Sequence, residues 1–252
     1  MRKLFSILMI VGFLAFVTPV QTYAQDKAKA KTEQVDKSAN KKSFHQILKQ
    51  RFVEGGPGFM GIILLTLIFG LAIAIERIIF LMLSDTDAQK LLQETEQALE
   101  EGGVDQALEL LKNKPGPIAS IFYQGLLRMA EGEGLEAAEK AVVAYGNVKV
   151  GELEKNISWI SLFIALAPML GFMGTVIGMI DAFDNIEKAG DMNPGLVAHG
   201  IKVALLTTVF GLIVAIILQI FYNFIIAKID AIVNKMENAS ISLVDLLVKY
   251  SK

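Results

Sequence analysis

The stretch ALAPMLGFMGTVIGMIDAF, residues 165–183, decides the fold. A helix-length apolar run that only had to fill lipid would be built from Leu and Ile. This one carries Pro168, Gly171, Gly174, Gly178 and a single hydroxyl, Thr175. Ala167, Gly171, Gly174 and Gly178 are spaced four, three and four residues apart, so they form one stripe on a helix and let another backbone approach closely.

The run is one of three long enough to cross a hydrocarbon core of roughly 30 Å, for which about 20 residues suffice. They are residues 59–83, 157–180 and 203–227, and the last two contain no Asp, Glu, Lys or Arg. With 53% apolar residues overall, the 252-residue chain reads as an all-α membrane protein. The third run mirrors the stripe of the second, because Ala204, Thr208, Gly211 and Ala215 repeat the four-three-four spacing. Two matching stripes predict tight helix–helix packing, within one subunit or around a ring of subunits.

Thr175 lies six residues inside Asp181 and Thr208 six residues beyond Lys202, so each hydroxyl sits roughly 9 Å in from the same membrane face. Two roles remain open for them from chemistry alone. Each hydroxyl can bond back to its own helix, or the two can line a polar path. A proton or ion path ordinarily needs a titratable group within the membrane, and neither of the two spans supplies one. Glu76 in the first span stands beside Arg77 near a boundary, where self-pairing or snorkelling is expected.

The remaining composition excludes much. Cysteine is absent, and the two histidines, His45 and His199, are too far apart to form a metal motif. A net charge of −2 and scattered lysines argue against nucleic-acid binding. No nucleophile–base constellation or phosphate loop occurs, so neither an enzyme nor a cofactor is expected.

Along the chain, residues 1–24 have the basic start, apolar middle and small-residue end of a signal peptide, with an uncleaved anchor as the alternative. Residues 25–43 are lysine-rich and aperiodic, which predicts a disordered tether. An interfacial helix and turn are expected over 44–58, transmembrane helix 1 over 59–83, and a cytoplasmic helical domain over 84–156. Within that domain, the segment after the Pro115-Gly116-Pro117 stop reads as helical. Transmembrane helix 2 is expected over 157–183, an outer loop over 184–197 and transmembrane helix 3 over 198–227. The apolar period continues past Ala227, predicting a helical tail over 228–252. A translocated presequence places the N-terminus in the periplasm and the C-terminus in the cytoplasm of a multi-pass inner-membrane protein, although lysines in the tether run against positive-inside counting.

The segments EGGPGFMGIILL and AIAIER around the first run, APMLGFMGTVIGMIDAF in the second and LVAHGIKVALLTTVFGLIVAI in the third resemble the MotA/TolQ/ExbB proton-channel proteins, most of all the ExbB/TolQ branch. The resemblance spans roughly residues 50–228. It implies a homo-oligomeric ring, a pentamer in the family's pattern, around an ExbD/TolR-like single-span partner that supplies an aspartate. It further implies a TonB-like protein that conveys work from the proton motive force to outer-membrane transport. A Tol-like envelope system or a motility stator is the related alternative, and a non-conducting scaffold the unrelated one. By position, Thr175 and Thr208 match the family's pore-facing threonines, and Pro168 with the three glycines matches its second span.

Three departures stand out. A glutamate frequent in the third span is Val203 here, preceded by Lys202, which either pairs with Asp181, Asp184 or a partner acid at the rim or snorkels to the outer interface. The family's Ala-Ile-Pro is Ala215-Ile216-Ile217, which removes a proline kink. The presequence and tether are additions to the best-known relatives.

Overall fold

A computed structural model describes residues 44–190 and 194–250. The signal-peptide and tether expectations fall outside the described residues. Seven helices follow in order: α1 (Phe44–Glu54), α2 (Pro57–Ser84), α3 (Ala88–Lys112), α4 (Pro117–Ala130), α5 (Leu135–Leu153), α6 (Ile157–Ala189) and α7 (Pro194–Tyr250).

Local chemistry sets most of the boundaries. Gly56, at φ 83°, turns the chain out of α1, and Pro57 opens α2 at a position whose N–H has no helical partner. The Asp87 carboxylate caps α3 by accepting from the N–H groups of Gln89 and Lys90 at 3.1 and 3.2 Å. Gly116, at φ 107°, and Pro117 do for α4 what Gly56 and Pro57 do for α2. Gly190 ends α6 in the left-handed region, its N–H donating to the carbonyls of Ile186 and Glu187.

The helical segment after Pro117 is split into α4 and α5 where Gly132 and Gly134 both take positive φ. One sequence expectation needs correction. The outer loop expected over 184–197 is largely helical. α6 runs on to Ala189 and α7 begins at Pro194, so the polar residues after Phe183 extend the helix beyond its apolar run instead of ending it. α7 continues unbroken to Tyr250.

α2, α6 and α7 are long and apolar enough to cross a membrane, yet no more than 33% of the residues in any of their most apolar windows is buried within the chain. Their bare faces, such as Ile62, Leu65 and Phe69 on α2, suit lipid or further protein and not water. The main core joins the ends of the spans, through Leu81, Ile160 and Ile225, to the helices beyond them. There Phe122, Leu126 and Ile121 of α4 pack with Leu153 of α5 and Ile232, Met236 and Leu243 of α7. Lys228 and Lys235 of α7 reach Asp85, just after α2, at 2.6 and 2.5 Å and tie this bundle to the end of the first span.

Arg77 of α2 is buried, with 3% of its side chain exposed. It pairs with Glu76 at 3.3 Å, as the sequence allowed, and it does more. Its guanidinium donates to the carbonyls of Lys155 at 2.8 Å and Glu152 at 3.4 Å, where α5 ends, and lies 4.3 Å from the Phe80 ring. A cation is favoured at the negative end of a helix. The junction it braces contains Asn156, the one non-glycine residue with positive φ among those described.

A hydroxyl seam between two spans

α6 and α7 run antiparallel and pair along their small stripes. A methyl added at Gly211 would lie 2.5 Å from the Ala167 carbonyl oxygen, one at Gly171 would lie 3.0 Å from the Thr207 carbonyl oxygen, and one at Gly178 would lie 3.3 Å from the Ala204 nitrogen. Backbone therefore faces backbone along the seam, which only residues without a large side chain permit. Ala167 and Ala204 are buried at this contact, and Ala215 packs beside it. Pro168 sits within α6, which continues through it. The stripe extends further than the sequence indicated: Gly200 faces Ala182, where an added methyl would meet the alanine methyl at 2.3 Å.

This close approach brings the threonines together. Thr175 Oγ1 is in hydrogen-bond contact with Thr208 Oγ1 across the seam. Thr175 also reaches the Gly171 carbonyl of its own helix at 3.3 Å and the Ala204 carbonyl of α7 at 3.2 Å. Thr208 donates to the Gly171 carbonyl at 3.2 Å. Each hydroxyl therefore has a backbone acceptor, and the two meet at one level of the seam. Both residues are half-buried, which leaves one side of the pair accessible.

A third hydroxyl escaped the sequence reading. Thr207 is 1% exposed and donates to the Ala204 carbonyl at 2.8 Å, with the Gly171 carbonyl at 3.3 Å. Its only signal was adjacency to Thr208, since it lies off the four-three-four stripe. The Gly171 carbonyl oxygen therefore has three hydroxyls around it.

Hydroxyls can donate and accept, so the cluster can relay hydrogen bonds, but threonine carries no charge near neutral pH. The apolar stretches 157–180 and 203–227 contain no Asp, Glu, Lys, Arg or His. The charges collect at the rim. Asp181 and Asp184 are exposed there, and Lys202 pairs with neither. Its ammonium lies 2.9 Å from Glu54 of α1, a correction to the expected counter-ions. The reason is the tight turn at Gly55-Gly56, which brings the end of α1 against α7 at the level of Val203. Lys202, with help from the Gln50 amide, pulls the Glu54 carboxyl down to about 2. Among the described residues, no cluster of side chains could hold a metal ion.

The fold and seam define a polytopic helical membrane protein whose two later spans close on each other through small residues and hydroxyls. Residues 113–238, half of the chain, match the MotA/TolQ/ExbB proton channel family, and the chain belongs to that family. It is 31% identical over 173 residues to an ExbB homolog of Methanothermobacter thermautotrophicus, covering 68% of this chain and 60% of that protein. It is 38% identical over 78 residues to the biopolymer transport protein ExbB of Aquifex aeolicus, covering 31% of this chain and 53% of that one. Over 86 residues it is 31% identical to the Tol-Pal system protein TolQ of Haemophilus influenzae, covering 34% and 38%. The chain thus spans between half and two thirds of the length of the first two of these relatives.

Proposed function

We propose that this chain is the wall-forming subunit of a proton-driven inner-membrane motor of the ExbB type. It assembles as a homo-oligomer, a pentamer in the family's pattern, around an ExbD-like single-span partner, and energises TonB-dependent outer-membrane transport. It is not an enzyme and holds no cofactor. The observation that carries the reading is the meeting of Thr175 and Thr208 at one level of a seam that lacks any charge of its own. Such a seam can orient water and pass hydrogen bonds, while the group that takes up and releases the proton comes from the partner's aspartate.

Thr175→Val and Thr208→Val test this, because valine keeps the shape and removes the hydroxyl. The assembled complex with its partner, reconstituted in liposomes, is expected to form in normal amount and to lose most of its proton uptake. Liposomes holding this chain alone are expected to remain proton-tight. Full uptake by both variants would leave the seam a packing device and make the chain a scaffold for other spans.

A further inference from the structure

At the rim, α1 and the turn that follows it are laid against α7 at three points. The Phe52 ring meets Phe210 edge-on at 5.9 Å, Gly56 faces Val203, and Lys202 holds Glu54. Lys202 is two residues before Ala204, which faces α6, so it lies on the side of α7 turned away from α6 and towards α1. It stands six residues outward of Thr208, roughly 9 Å in depth. An ammonium in this position, left alone, sets a positive charge at the entrance to a path that must admit cations. Glu54 prevents that. Its carboxylate is only 23% exposed and also accepts from Gln50 at 2.8 Å and Arg51 at 3.1 Å, both on its own helix. Those two donors fix the carboxylate, and Lys202 is the charged group that meets it from α7.

We propose that Glu54 is a charge-masking residue of the ion path: by holding the Lys202 ammonium it removes a positive charge from the rim of the hydroxyl seam and so permits cation entry. The proposal rests on the proton-path reading above. It also explains how the chain accommodates a lysine beside Val203. A unit charge roughly 12 Å from the threonine pair, across the depth and width of the helix, changes local cation occupancy by about 2-fold at an effective dielectric of about 80. At an effective dielectric of about 20 the change is about 10-fold.

The test is proton uptake by liposomes containing the full chain and its partner, measured at about 10 mM and about 1 M salt, where the screening length falls from about 30 Å to about 3 Å. E54Q is expected to slow uptake by about 2- to 10-fold at low salt and to match the wild type at high salt. The double variant E54Q/K202Q is expected to match the wild type at both. A loss in E54Q that persists at high salt, or that the second substitution does not relieve, shows a merely structural role and overturns the proposal. Should E54Q lower the yield of folded protein, the reversed pair E54K/K202E leaves the net charge of the two positions unchanged. It is expected to conduct at the wild-type rate, and a loss there also overturns the proposal. Thr175→Val and Thr208→Val run in parallel separate the two readings. If they stop uptake while E54Q is unaffected at low salt, the masking role alone fails; if they leave uptake intact, the path itself fails.

Discussion

Gly211→Ala probes the seam directly. The added methyl would sit 2.5 Å from the Ala167 carbonyl oxygen and 3.1 Å from the Gly171 Cα. Both obstacles are backbone, so no side-chain rotation relieves the clash, and α6 and α7 must separate by about 0.5 to 1 Å. A gap of that size forfeits about a quarter to a half of the dispersion energy of each facing atom pair, and overpacking of this kind costs about 1–3 kcal/mol. For a chain of this size, each kcal/mol lowers the melting temperature by about 2–4 °C. The expected fall is therefore about 2–12 °C, read by circular dichroism on the detergent-solubilised protein. The same opening stretches the 3.2 Å contact from Thr175 to the Ala204 carbonyl past hydrogen-bonding range, so proton uptake should fall with it. Gly61→Ala in α2 is the control, because a methyl there meets nothing within 4 Å. Equal melting temperatures for the two variants, with proton uptake intact in Gly211→Ala, would refute the close-packed seam.

Arg77→Met keeps the buried volume but removes the hydrogen bonds to the Lys155 and Glu152 carbonyls. The 2.8 Å bond to Lys155 is the strong one of the two, and a charged hydrogen bond is worth about 1.5–3 kcal/mol, so a loss of about that size is expected in equilibrium unfolding, with faster proteolysis near Asn156. Glu54 has a carboxyl pKa held at about 2, below the ordinary 4.5, chiefly by Lys202. Its contact with α7 is therefore complete above the ordinary carboxylate range and is lost only as pH falls through about 2. A fluorophore on Val53→Cys in this cysteine-free chain should report α1 still seated at pH 4, with K202Q moving its release to higher pH. Gly146 lies within α5 and a methyl there meets nothing within 4 Å, so Gly146→Ala should stabilise the bundle by about 0.5–1 kcal/mol in the same unfolding assay.

The spans and the seam were legible in the sequence because each rests on a signal that repeats along a helix. Apolar length marks the spans, and four-three-four spacing marks the stripes of α6 and α7. The features that were not legible depend on contacts between distant residues or on single backbone angles. Nothing in EGEGL announces that Gly132 and Gly134 turn to positive φ while Gly146 and Gly151 stay helical. Glu54 as the partner of Lys202 required knowing where α1 is laid, 148 positions away along the chain. Thr207 was overlooked because stripe spacing selects one line of residues, whereas the antiparallel approach buries a band wide enough to include the neighbour of Thr208.

The seam also shows why packing and chemistry are hard to separate in this protein. Between helices in lipid there is no hydrophobic gain from association, so contact is held by dispersion at close range and by hydrogen bonds. Glycine supplies the first by letting backbones meet, and that approach places the Gly171 carbonyl within reach of hydroxyls from both helices. A larger residue at 171, 174, 178 or 211 therefore disturbs the hydroxyl cluster as well as the packing, and loss of transport in such a variant cannot distinguish the two. Threonine to valine is the exchange that keeps the volume in the seam while removing the hydroxyl. The functional argument accordingly rests on Thr175 and Thr208, and the glycines speak to how those hydroxyls come to share a site.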